Sequence, residues 1–275
     1  MHTISTDELV SVIMGVCYRS NNTANLQRSI LSILNQSYSH IEFLICENGS
    51  YTPARELIEK YAQKDPRIRL INGNGANSLT AKLNRCIYHA RGNWIARMDD
   101  DDYSYPNRLE EQIFFLKENP SVSVVGCWVI ETSDSGKYLR KLPLYPDVND
   151  FKIRFPFVHP SLLFRKNAVL DVGLYSEKRA QVGCDDYELL MRMYEYGYKG
   201  ANIPAVYLEY SISASQLQKR PYYLFINEFL TRLECFTRLG LMPRWTIWAI
   251  KPLITGLIPR RFLYYIKHKD KGKAI

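Results

Sequence analysis

Two rhythms of apolar and polar residues run along the 275-residue chain. Short unbroken apolar runs rich in β-branched residues read as buried strands, and stretches with apolar residues three or four apart read as helices packed on one side. Residues 9–16 form the first such strand, followed by the polar loop Tyr18-Arg19-Ser20-Asn21-Asn22. Thr23 stands where it can cap a helix carrying Leu26, Ile30, Ile33 and Leu34. The alternation goes on through a strand at 41–46, a helix at 54–63, a strand at 68–72, a helix at 79–90 and a strand at 94–98. This order predicts an α/β fold of right-handed βαβ units around a mostly parallel sheet, with ligands at the carboxyl ends of the strands. The loops after Val16, Cys46 and Met98 are therefore the ones to watch.

Beyond Asp102 the pattern predicts a helix at 106–118 with proline at its first position, then a strand at 122–130. The rhythm then becomes irregular. Residues 155–164 read as loop then strand, and 186–196 as a helix stopped by Gly197. There are no internal repeats and no low-complexity tracts. The chain divides into a main domain at 1–215 and a helical extension at 216–275.

Composition narrows this picture in three places. Six cysteines without C-x-x-C spacing, most of them inside apolar runs, predict buried thiols rather than structural zinc. A polar, acidic start at 1–8 lacks the pattern of a secretory leader, so a cytoplasmic location is expected. No apolar run reaches the roughly 18 residues of a spanning helix, and 245–258 is broken by Lys251, Pro252 and Gly256. The net charge of +8 suits a phosphate-rich or anionic partner and raises the possibility of nucleic-acid binding. Against that, the basic residues gather near the C-terminus while the central loops are acidic, so no nucleic-acid partner is expected.

The chemistry concentrates in two acidic sites. Asp99, Asp100, Asp101 and Asp102 follow an apolar strand directly, so their mutual repulsion calls for a cation, and hard oxygen ligands suit Mg²⁺ or Mn²⁺. Asp185 and Asp186 precede a helix, where aspartate also satisfies free N–H groups. A nucleotidyltransferase would share the sheet and the acidic ligands. It would also carry a glycine-rich basic loop after the first strand, of which Gly15-Val16-Cys17-Tyr18-Arg19 is a poor version.

Taken in order, the segments Tyr18-Arg19-Ser20-Asn21, Ile45-Cys46-Glu47-Asn48-Gly49-Ser50, Ala90 to Asp102 and Pro106-Asn107-Arg108-Leu109 resemble the family 2 inverting glycosyltransferases. The resemblance runs from about Val10 to Ser215. It implies a GT-A fold, a nucleotide-sugar donor, most simply a UDP-sugar, and a metal-dependent single displacement. Asp99 and Asp101 match the ends of the family's D-x-D motif. By that match Asp101 is the metal ligand, Mn²⁺ or Mg²⁺, and Asp99 with Asp100 faces the donor. Tyr18, Arg19, Glu47 and Asn84 fall where the family meets the nucleotide, although Glu47 and Asn48 stand in places usually held by aspartate. Lys82 has two open readings, a diphosphate contact or an exposed helix cation.

Gly183 to Arg192 matches the family's E-D motif, with Asp185 in the glutamate position. Asp186 is the implied base that deprotonates the acceptor hydroxyl, with Asp185 beside it in support. His159, in His159-Pro160-Ser161, is a candidate for the acceptor side or for a structural role. Residues 210–215 lack the arginine or histidine that many relatives carry there. The extension is aromatic and basic, with Trp245, Trp248, Arg260, Arg261, Lys267 and Lys269 among its residues. Such a segment either lies on an anionic membrane surface, at the inner face of the plasma membrane, or covers the main domain as two ordinary helices. By analogy the acceptor would be a lipid-linked glycan of surface-polysaccharide synthesis.

Overall fold

Val10–Gly15 forms β1, in which every residue is buried. A run apolar on both faces belongs in the middle of a parallel sheet covered on both sides. In the computed structural model, which describes residues 8–16, 23–47, 53–133, 136–212 and 220–258, β1 lies between β2 (Ile41–Glu47) and β4 (Trp94–Arg97), parallel to both. β3 (Ile68–Asn72) extends this parallel half beyond β2. On the other side β8 (Leu163–Arg165) pairs antiparallel with β4 and with β6 (Val122–Ser133). β9 (Lys199–Ser211) runs parallel to β6, and the short β5 (Tyr103–Ser104) closes the edge. β7 (Gly136–Arg140) folds back on β6.

The helices fill both faces of the sheet. Because side chains alternate along a strand, Val10, Val12 and Met14 join one core with α1 (Ala24–Leu34) and α4 (Arg108–Glu118). Ile13 faces the other core, with α3 (Leu79–His89), α5 (Val148–Ile153) and α7 (Asp185–Glu195). α2 (Pro53–Ala62) and α6 (Lys166–Asp171) complete the main body.

Several boundaries moved for identifiable reasons. Thr23 is the N-cap of α1 but its side chain makes no capping bond. α4 starts at Arg108, two residues later than the proline suggested, because the Pro106 carbonyl accepts a hydrogen bond from Ser37 N (2.8 Å) outside the helix. Ser78 caps α3, its hydroxyl accepting from Ala81 N at 3.1 Å. The five described cysteines are buried, unpaired thiols, as their apolar settings predict.

The C-terminal helices are part of the core. α8 (Tyr223–Arg238) and α9 (Thr246–Leu257) pack against each other, and α8 also packs on α7. Phe236 and Trp245 meet edge to face at 4.9 Å, and Trp245 is only 6% exposed. Trp248 packs on the same cluster. Trp245 therefore faces the protein, while Trp248 packs there with part of its surface left exposed. Arg260, Arg261, Lys267 and Lys269 lie outside the described residues. Truncation after Arg238 would strip Trp245 and Ala249 from Phe236, so it is expected to cost stability. Loss of one buried aromatic is worth about 3–5 kcal/mol, and thermal unfolding of the truncated chain would register it as a clear fall in Tm.

Candidate active site

The chain leaves β4 over a buried cation. Arg97 is fully buried at the end of the strand, its N–H bonded to Leu162 O at 2.8 Å. Its guanidinium donates to the Asp99 carboxylate and to the Met98 carbonyl. A second fully buried cation, Arg108 of α4, donates to Arg97 O at 3.2 Å and to Pro160 O at 2.7 Å. Burial holds its guanidinium down to about 10. Placing such groups inside a protein is costly unless charge of the opposite sign lies close, and here the acidic turn supplies it.

The turn itself is latched on both sides. Ser29 of α1 donates to the Asp102 carbonyl, and Ser211 at the end of β9 donates through its hydroxyl to Asp101 O at 2.6 Å. Ser211 N also donates to Asp102 Oδ1 at 2.8 Å. Asp102 is wholly buried, and burial, followed by the charge of Asp99, pushes its carboxyl well above the ordinary range. Asp102 Oδ2 and Arg97 Nε find no hydrogen-bond partner among the described residues. Asp99, Asp100 and Asp101 are half-buried. This all-oxygen set, with one buried oxygen unsatisfied, fits Mg²⁺ or Mn²⁺. Among the described residues no group of three or more His, Cys, Asp or Glu side chains could by itself hold a metal ion, so oxygens of a substrate would have to complete the shell.

The second acidic site reaches the same place. Asp185 and Asp186 open α7, where the unpaired N–H groups of the first turn favour negative charge. Asp186 Oδ1 accepts from Tyr187 N at 2.8 Å. Burial pushes Asp186 up to about 6; the charge of Asp99 adds to this, while Tyr187 N–H and Arg97 oppose it. Asp185 is pushed up to about 7 by burial and then by Asp186. Two tyrosines register the convergence. Burial raises Tyr210, and Asp99, Asp102 and Asp186 raise it further. Tyr175 is raised by burial and then by Asp186, Asp99 and Asp185, while Arg97 lowers it.

Tyr175 and Arg97 are the residues that sequence reading missed as parts of the site. The Tyr175 hydroxyl pairs with His159 Nε2 at 2.7 Å, and burial together with Arg97 holds His159 well below its usual pKa, hence neutral. The turn before Tyr175 puts Gly173 at φ 87° and Leu174 at φ 66°, an unfavourable conformation for leucine. Arg192 steadies it by donating to Val172 O and, at 2.7 Å, to Leu174 O. No local signal marks such a tyrosine, since the turn is fixed by residues far away in sequence.

The fold engages Asn84 and Lys82 itself. Asn84 spends its amide on Tyr175, donating to its carbonyl at 2.9 Å and accepting from its N–H at 3.0 Å, and also donates to Glu177. It pins the Tyr175 turn to α3 instead of presenting its amide to a donor. Lys82 is buried, donating to Val16 O at 2.6 Å, so it is not an exposed helix cation. Glu47 is buried at the end of β2, 3.6 Å from the Arg55 guanidinium. Tyr18, Arg19 and Asn48 lie outside the described residues.

Comparison with known proteins agrees with this geometry. A profile described as Glycosyl transferase family 2 matches residues 11–173. The putative glycosyltransferase EpsE of Bacillus subtilis is 32% identical over 91% of this chain and 90% of its own length. An Escherichia coli UDP-Gal:alpha-D-GlcNAc-diphosphoundecaprenol beta-1,3-galactosyltransferase is 27% identical over 76% of each. Among solved structures, Staphylococcus aureus TarS 1–349 in complex with UDP-GlcNAc superposes with a TM-score of 0.66 at 15% identity, covering 95% of this chain and 88% of that one. The mannosyltransferase PcManGT of Pyrobaculum calidifontis, in complex with GDP-Man and Mn²⁺, gives 0.62 at 16% identity, covering 94% and 79%. The nucleotidyltransferase and nucleic-acid readings fall away, the fold is GT-A, and the chain belongs to glycosyltransferase family 2.

Proposed function

We propose that this protein is an inverting, metal-dependent hexosyltransferase that moves a sugar from a UDP-sugar to a hydroxyl of a lipid-linked glycan, in surface-polysaccharide synthesis at the inner face of the plasma membrane. The observation that carries the reading is the acidic turn at the end of β4, latched by Ser29 and Ser211 over the buried Arg97 and Arg108. A divalent ion, Mn²⁺ or Mg²⁺, would be held by Asp101 and would neutralise the diphosphate leaving group. The donor and acceptor assignments draw on what the E. coli relative is named for and on the TarS complex.

Each residue then has a task. Asp99 and Asp100 face the donor, and Glu47, at the mouth of β2, accepts from the nucleotide base. Tyr18 and Arg19 belong to the same donor side. Asp186 takes the proton from the acceptor hydroxyl, that oxygen bonds to the anomeric carbon, and the bond from that carbon to the diphosphate breaks with inversion. Asp185 stands next to the base, its own carboxyl pushed up to about 7 by burial and by Asp186, so that Asp186 is the one that ionises first. Arg97 stays buried and charged, fixing Asp99 in place. His159 is neutral and holds the Tyr175 hydroxyl beside the acidic sites.

A screen of donor hydrolysis over UDP-, GDP- and dTDP-sugars, with and without Mn²⁺, tests the reading. Metal-dependent release of UDP from one UDP-sugar is the expected result. Release without metal, or release from another nucleotide alone, would contradict it.

A further inference from the structure

α3 buries Leu83, Cys86 and Ile87 against the sheet and turns Ala81, Asn84, Arg85 and Tyr88 to a pocket on its other side. That spacing is one stripe of a helix. Leu174 and Glu177, of the turn around Tyr175, form the opposite wall of the pocket, whose volume is about 410 Å³. Small-molecule sites run from about 300 to 1,000 Å³, so the space is ample for a ligand of that class.

The polar groups of the pocket are of both signs. Glu177 Oε1 accepts from Asn84 at 2.9 Å, and Oε2 has no partner among the described residues. Arg85 donates to the carbonyls of Asn72 at 2.8 Å and Asn74 at 2.6 Å and keeps other N–H groups spare. Tyr88 stands beside them with its ring 81% exposed. A phosphate would meet the Glu177 carboxylate, so the set does not suit an anion. A neutral sugar fits it better. Its hydroxyls donate to the carboxylate and accept from the guanidinium, and its C–H face rests on the electron-rich face of an aromatic ring. A second pocket, along α1, offers one charged side chain, Arg28, which is ion-paired with Glu209.

The sugar-like pocket shares a wall with the candidate active site. Leu174 lines the pocket, and Tyr175, the next residue, lies beside Asp186 and Asp99. Asn84 joins the two sides, since the amide that bonds Glu177 also bonds the Tyr175 backbone. Leu174 holds its φ of 66° as part of this wall, and backbone strain of that kind clusters where a ligand is gripped. We propose that the pocket between α3 and the 174–177 turn is a second sugar subsite, binding a neutral sugar unit of the acceptor glycan other than the unit that reacts. Arg85 and Glu177 hold its hydroxyls, Tyr88 carries its apolar face, and the reacting unit lies past Tyr175 on the Asp186 side. That the bound sugar belongs to an acceptor rests on the proposed transfer reaction; the sugar site itself does not.

Saturation-transfer NMR on the full-length protein tests the proposal, with the methyl glycosides of glucose, galactose, mannose and N-acetylglucosamine and with saturating UDP and Mn²⁺ to fill the donor site. Binding of at least one glycoside by the wild type is expected, undiminished by inorganic phosphate. Glu177→Ala should weaken it by roughly tenfold or more, as for loss of a hydrogen bond to a charged group. Tyr88→Ala should weaken it by roughly threefold or more. Both side chains are exposed, so the thermal transitions of the variants should match the wild type. Tyr145→Ala, which removes an exposed ring outside the pocket, should bind as the wild type does. Absence of glycoside binding by the wild type, equal binding by the Glu177 and Tyr88 variants, or displacement by inorganic phosphate would overturn the proposal. Donor hydrolysis by the wild-type protein separates it from the transfer reading. Hydrolysis with no glycoside binding sinks the subsite and spares the function, and glycoside binding that both variants weaken, with no hydrolysis of any donor, does the reverse.

Discussion

Asp101→Ala is expected to abolish sugar transfer while the protein stays folded. Asp101 is half-buried within the acidic turn. The backbone of Asp101 is held independently of it, by the Ser211 hydroxyl on the carbonyl at 2.6 Å. Removing the side chain therefore takes away the proposed metal ligand and leaves that hold on the turn in place. Loss of one such electrostatic element costs on the order of a hundred-fold or more in rate. Initial rates at saturating Mn²⁺, together with an unchanged thermal transition, check the prediction. Near-wild-type turnover would remove Asp101 from the metal site.

Asp186→Asn is expected to collapse transfer by roughly 10²–10⁴-fold, the range for loss of a general base, with binding of UDP and metal retained. Asparagine still satisfies the start of α7, so the helix should persist. In the wild type the base must be ionised, so the rate should fall as pH drops through about 6. Stability should move in the other sense. The folded-state value lies above the ordinary 3.8, so the folded form binds this proton more tightly than the unfolded chain does. Its contribution is full below the unfolded value and is lost as pH rises through about 6. Asp186→Asn removes that loss, and the variant should gain thermal stability over wild type at pH 8 relative to pH 4. A variant that loses UDP binding along with transfer would instead put Asp186 in the donor site.

Much of this architecture is legible in the sequence because the relevant physics is local. The β-branched runs of β1 and β2, the helical spacing of Leu26, Ile30 and Ile33, and the aspartates after Met98 all announce themselves within a few residues. The antiparallel insertion of β8 between β4 and β6 does not, since a three-residue strand carries little pattern of its own. Charge was the harder matter. Arg97, Arg108 and Lys82 look like ordinary surface cations on the page, yet all are buried. Arg97 and Arg108 lie beneath the acidic turn, and only the assembled fold reveals it. Likewise Asp102 reads as one more carboxylate of the run, whereas burial sets it apart from Asp99 and Asp101. Trp245 has the composition of an interfacial ring and the position of a core residue, and Phe236 decides between them.

The central claim is that two acidic sites, at the ends of β4 and at the start of α7, form one metal-dependent transfer site with divided labour. Calorimetric titration of UDP into the wild type, Asp101→Ala and Asp186→Asn, each with and without Mn²⁺, tests it most directly. The account predicts tight binding that requires metal in the wild type, is lost in Asp101→Ala and survives in Asp186→Asn. Binding that ignores metal in the wild type, or that responds identically to both substitutions, would contradict it.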